Sequence, residues 1–108
     1  MKFADLEERK QRSRRQDSLQ DLPEWFYPEL VEYLDGDLDE RERRTAEDVA
    51  DGLVDRRLGK IIKLASWEAA DAPTDTSTLT DAERELYEDL VARMERFRLE
   101  VLAPTEGE

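Results

Sequence analysis

Apolar residues recur three and four apart along most of this chain, and the longest such run lies in its middle. From about Leu38 to Ala70, the residues Ala46, Val49, Ala50, Leu53, Val54, Leu58, Ile61, Ile62, Leu64 and Ala65 follow the period of an amphipathic helix. The spacing predicts one helix of roughly 45 Å at about 1.5 Å per residue, long for a domain of this size. On a helical wheel the apolar arc runs from Val49 through Ala46, Ala50 and Ile61 round to Ile62, more than half the circumference. One packed neighbour asks for a narrower stripe, so two or more helices must cover this one, from this chain or partly from outside it. Arg57 projects into the arc. Either it meets a carboxylate, since an unpaired buried guanidinium costs several kcal/mol, or it snorkels to the surface. Gly52 and Gly59 lie seven apart on the back of the helix, each costing about 1 kcal/mol relative to alanine. They mark the close approach of another backbone or are simply tolerated at the surface.

A second clear period opens at Thr80. With Glu83 it forms a T-x-x-E capping box, and Asp81 adds charge at the positive end of the helix dipole. Leu86, Tyr87, Leu90, Val91, Met94, Phe97 and Val101 then hold one face, and a stop is expected near Leu102, before Pro104. Between the two helices, residues 71–79 are small, polar and turn-favouring. Upstream, Leu19 and Leu22 lead into LPEWFYPELVEYL, where Pro23 or Pro28 can occupy a first helical turn. Leu30, Val31 and Leu34 give a short helix, closed near Asp35-Gly36 by a glycine able to adopt a left-handed conformation. The aromatic cluster Trp25, Phe26, Tyr27 and Tyr33 suits a core or a subunit interface better than a ligand cage. The expected fold is all-α, a bundle of about four helices built on the long central one.

Composition sharpens this picture. The 108 residues suffice for one domain, with 29 Asp and Glu against 17 Lys and Arg and a net charge of −12. Charged residues make up 43% and hydrophobic ones 38%, a balance that would suit disorder if the apolar positions were scattered. Their helical period argues for folding instead. Arginine outnumbers lysine 13 to 4, and with the acidic excess this looks like a halophilic cytosolic protein. Residues 1–15 run against the trend, with a local charge of +3 on a chain whose remainder is −15. Such a basic arm, 1–18, could touch phosphates through Arg12, Arg14 and Arg15, or form a charged amphipathic helix lying on its own acidic body. No aromatic residues are interleaved to stack on bases. On the central helix Arg56, Lys60 and Lys63 share a narrow sector beside Trp67, a stripe that could face DNA or, better in so acidic a protein, a partner's carboxylates.

Candidate chemistry is sparse. Without cysteine or histidine there is no disulfide, thiolate nucleophile or common zinc ligand, and no phosphate-cradling or nucleophile-elbow motif occurs. The many carboxylates alternate with Arg and Lys on helix faces, as solvated faces do. Asp35, Asp37 and Asp39 imitate part of a calcium loop but lack its glycine and distal glutamate. No catalytic, metal or cofactor site is expected, and neither a signal-peptide core nor a membrane span, which places the protein in the cytoplasm.

The order LPEWFYPELVEYL, then a long helix ending VDRRLGKIIKLAS, then a polar loop and LTDAERELYEDLVARMERFRLEVL, resembles the helical domain of archaeal GINS subunits, of the type that carries it ahead of a small β domain. The most specific parts are Arg56-Arg57-Leu58-Gly59-Lys60-Ile61 and Leu79-Thr80 with Glu83, Glu85, Leu86 and Tyr87. The resemblance covers roughly residues 20–102, within a helical domain expected over 19–102 and followed by a disordered tail, 103–108. It implies a non-enzymatic scaffold that assembles with other GINS subunits, itself or a paralogue. Its partners would be the MCM helicase and a RecJ-like protein at the replication fork, with DNA contact possible but more readily indirect, and a nucleoid-associated location. Interface residues would then be Trp25, Phe26, Leu53, Arg57, Ile61, Leu64, Leu90, Met94 and Phe97. Because this chain ends soon after the last helix, it is expected to be a fragment, a short version or a paralogue keeping the oligomerising half. The competing expectation is a small nucleic-acid-binding regulator using the basic arm.

Overall fold

The computed structural model describes residues 1–15 and 20–106, with the backbone alone for 13–15 and 103–106. Among these residues it is all-α, with α1 Phe3–Arg15, α2 Phe26–Asp35, α3 Glu40–Ala69 and α4 Asp81–Glu106, and no strand. The expected long helix is α3, and the basic arm is the helix α1. Leu19, expected to lead into α2, lies outside the described residues.

Four of the helix ends have a clear local cause. Asp39 caps α3 by accepting the Glu42 N–H at 2.7 Å, in a D-x-x-E arrangement that was readable in the sequence. At its other end the Ala72 N–H reaches the Trp67 carbonyl and the Asp71 N–H that of Glu68, both at 2.9 Å, with Asp71 left-handed at φ 63°. This is a Schellman closure with aspartate where glycine is usual. The end of α2 corrects the sequence reading, for Gly36 is extended, with φ −72° and ψ −175°. Arg43 of α3 supplies the closure instead, donating to the carbonyls of Leu34 and Gly36. A guanidinium satisfying the last carbonyls removes the need for a left-handed turn. In α4, Thr80 and Glu83 form the expected box, with N–H to carboxylate at 3.0 Å and N–H to hydroxyl at 3.2 Å. Its backbone stays helical through Pro104 to Glu106 rather than stopping near Leu102. Proline's fixed φ is itself helical, and although it forfeits the N–H bond to residue 100 and crowds that carbonyl, it does so only in the final turn, where no further turn depends on it.

The molecule is a rod of 63 × 24 × 20 Å. Its core falls into two clusters strung along α3. The first joins Leu6 of α1, Leu22, Phe26 and Leu30 to Ala50 and Leu53. The second joins Ile61 and Ala65 to Leu79, Tyr87 and Val91. The segment after α3 doubles back along it, so that α4 starts beside Arg57 and runs parallel to α3, with Met94 and Phe97 reaching the level of Ala69. Beyond Phe97, α4 continues for about 15 Å with no α3 beside it.

Candidate functional site

Between the two clusters, α3 presents Arg57, which is 1% exposed. Its guanidinium grips Glu83 with both arms, Nε to Oε2 at 2.5 Å and Nη2 to Oε1 at 2.7 Å. Further donors reach the carbonyls of Gln20, at 2.7 Å, and Thr78, at 3.3 Å. Glu83 is as fully used. Oε1 also accepts the Thr80 N–H, and Oε2 the Tyr27 hydroxyl at 2.5 Å. Burial alone drives the Glu83 carboxyl upward, but the hydrogen bonds from Arg57, Tyr27 and Thr80 together outweigh it and hold it below the ordinary glutamate range. Burial first, then the bond to Glu83 and its charge, push the Tyr27 phenol well above its ordinary value. One carboxylate thus caps α4, neutralises α3 and ties in the start of α2. Glu24 adds a clamp, accepting the Asp81 N–H at 3.0 and 3.1 Å. With every oxygen of Glu83 engaged and Arg57 sealed, this cluster is a structural joint rather than a place for a substrate.

Of the two readings of Arg57, the paired one holds, and its partner belongs to the same chain. Leu53, Ile61 and Phe26 are likewise at most 1% exposed. These four cannot form an interface surface as expected from the resemblance, because folding of this chain alone already consumes them. Leu64, Leu90 and Met94 are half-buried around the second cluster. Trp25 and Phe97 are exposed, at 50% and 62%.

The basic arm lies against its own body. Leu6 enters the first cluster, Arg9 donates to the Asp21 carbonyl at 3.3 Å and sits over the Phe26 ring, and the Lys10 stem crosses Gly52. Arg12 is exposed and pairs with Glu8 at 2.7 Å. The side chains of Arg14 and Arg15, the other expected phosphate contacts, lie outside the described residues. Of the two expectations for the arm, the amphipathic helix lying on its own body holds, with Leu6 as its apolar contact. Sequence reasoning missed Gln20 and Tyr27 as joint residues, and Glu83 as more than a cap.

Two features of the surface remain. On one side of α3, Arg56, Gly59, Lys60, Lys63, Leu64 and Trp67 line a groove of about 1020 Å³ whose far wall is Pro73, Thr74, Asp75 and Thr78. Asp75 is held charged by the Ser77 side chain and N–H, which keep its carboxyl below the ordinary range. At the end of the rod, α4 uncovers Phe97, Leu99, Val101 and Leu102, all at least 45% exposed. Phe97, with Leu90, Met94 and Ala69, also edges a shallow apolar groove at the end of α3. Among the described residues no three acidic side chains gather as a metal site, and no helix is long and apolar enough to cross a membrane. No protein-family model, curated protein or solved structure matches the chain.

Proposed function

We propose that this chain is a non-enzymatic scaffold subunit of a GINS-type complex supporting the MCM helicase in DNA replication, working in the cytoplasm at the nucleoid. The supporting observation is the apolar stripe of α4, which serves the core through Tyr87 and Val91 and then runs past the end of α3 with Phe97, Val101 and Leu102 uncovered. Several large apolar side chains along an unsheathed helix form the kind of patch that marks an interaction site. On this reading sister subunits cover it, and MCM and a RecJ-like factor are reached through the assembly. The segment order described above, with its resemblance to GINS helical domains, gives the reading its biological content.

Phe97→Asp with Val101→Asp tests it. Both positions are exposed, so the variant keeps its helicity and melting temperature, while light scattering behind a sizing column shows the loss of self-association or of the complex with co-expressed GINS-type subunits. Capture of the wild type from native extract at high salt recovers MCM or a RecJ-like protein on this reading. A wild-type chain that stays monomeric at high concentration and captures none of these proteins sinks it. The regulator reading has less support, since α1 applies Leu6, Arg9 and Lys10 to its own chain.

A further inference from the structure

The groove between α3 and the 73–78 segment carries an inference that stands apart from the α4 face and from the replication reading. We propose that this groove docks an extended acidic segment of a partner protein. The segment's backbone passes over Gly59, its carboxylates meet the Arg56, Lys60 and Lys63 stripe, and one apolar side chain rests on Trp67.

Four observations lead there. First, Arg56, Lys60, Lys63 and Trp67 fall at helical spacing on one wall, so three cations and an indole are aligned over roughly 16 Å of helix. They are a positive strip on a chain of net charge −12, and with the Asp75 carboxylate on the opposite wall the groove still keeps a cationic surplus. Second, the opposite wall is fixed in place. The Thr74 hydroxyl meets the Tyr87 hydroxyl at 3.0 Å, Arg84 donates to the Thr76 carbonyl at 2.9 Å, and Arg57 takes the Thr78 carbonyl. A wall tied at three points is preformed, which lowers the ordering cost of binding. Third, Trp67 is 50% exposed at one end of the strip, an apolar surface beside the charges. Fourth, the two glycines of α3 differ. A Cβ on Gly52 would lie 2.6 Å from Lys10 Cε, so that glycine accommodates α1, whereas a Cβ on Gly59 would meet nothing within 4 Å. No contact among the described residues calls for a glycine at 59, although glycine weakens a helix relative to alanine. It leaves the α3 wall of the groove open to an approaching backbone.

The same cations suit a nucleic acid less well. Duplex DNA carries one charge per about 1.7 Å and would run on past this short strip over a strongly acidic surface, and one tryptophan offers a single stacking platform. A short acidic peptide ends where the strip ends. At about 3.3 Å per residue, roughly five or six extended residues span it.

The probe is a fluorescein-labelled peptide of about six Asp and Glu residues around one Phe, titrated with the whole chain by fluorescence anisotropy at moderate salt. Saturable binding that weakens as salt rises is expected. Arg56 and Lys60 also have partners within the chain, so the variants are Lys63→Glu, which is exposed, and Gly59→Leu, which fills the groove where nothing stands in the way. Each should weaken the peptide about tenfold or more, equivalent to ~1.4 kcal/mol, with circular dichroism preserved and no fall in melting temperature. Absence of saturable binding, or equal affinity in wild type and both variants, overturns the proposal. So does tighter binding of an oligothymidylate than of the peptide, which would assign the groove to nucleic acid. None of these readings involves the α4 face, so the two proposals fail separately.

Discussion

On the amino-terminal side of Arg57, α3 is wrapped by α1, the 20–25 segment and α2, and its back is closed tightly enough that Lys10 lies across Gly52. On the carboxy-terminal side, among the described residues, it has α4 and the returning 70–80 segment. There one flank stays open as the basic groove, and α4 outruns α3 at the end of the rod. The same helix, with the same apolar period, is therefore a finished core in one half and a platform in the other. The two halves meet in a polar joint, and a joint of hydrogen-bonded charges specifies geometry in a way that two greasy clusters cannot. Arg57 accepts one register of α4, the one that places Glu83 between its arms.

Removing one side of that joint should have the largest effect. Glu83→Leu leaves a buried guanidinium without its counter-charge and α4 without its box, and should cost about 3–5 kcal/mol in urea denaturation. Such a loss is a large part of a small domain's stability. Hydrogen exchange should show α4 opening before α1 and the first half of α3, uncoupling the halves. Arg57→Leu combined with Glu83→Leu removes both charges and should recover much of the loss. A double variant as unstable as Glu83→Leu alone would mean that the joint acts through the cap and not the ion pair.

Acid attacks the same group. Because the folded-state Glu83 carboxyl lies below its unfolded value, its contribution is fully present above the ordinary glutamate range and disappears as pH falls through the folded value. The stability gap between wild type and Glu83→Gln should therefore narrow on acidification below about pH 4.3. A carbon-detected titration should find Glu83 ionised after the exposed glutamates have taken up protons. A gap constant down to the acid unfolding limit would contradict this assignment. Tyr27→Phe is milder. It deletes one of the four hydrogen bonds on the carboxylate and should cost about 1.5 kcal/mol, while shifting the Glu83 titration upward.

Much of this was legible beforehand. The span of α3, the Thr80–Glu83 box, the apolar face of α4 and the need of Arg57 for a carboxylate all follow from local spacing, which a single sequence displays. The partner of Arg57 did not. Glu83 is 26 residues away, and only the doubling back of 70–80 brings it there. The assignment of Leu53 and Ile61 to a subunit interface went astray for the same reason. A wide apolar arc says how much must be covered, not whether α1 or another subunit covers it. For the basic arm the charges left two readings open, and Leu6 in the first cluster, with Arg9 over Phe26 and Lys10 across Gly52, decides for the helix that lies on its own body. The groove was half legible, since one helix carries its cations while its far wall comes from a loop whose path the sequence does not show.

The two glycines give the smallest and most discriminating measurement. Alanine at either position reduces the entropy of the unfolded chain and improves helix propensity, a gain of about 1 kcal/mol where nothing opposes it. At position 59 a Cβ enters open space, so Gly59→Ala should raise stability by that amount. At position 52 the new methyl displaces the end of the Lys10 side chain, and the gain should be reduced or cancelled. The obstacle is a flexible stem and not a backbone, so Lys10→Ala should restore the gain at 52 and leave that at 59 untouched. A double-mutant cycle then reads coupling between 10 and 52 and none between 10 and 59. Equal behaviour of the two glycines would mean that α1 does not close the first half of α3, and the contrast between a sealed half and an open one would lose its ground.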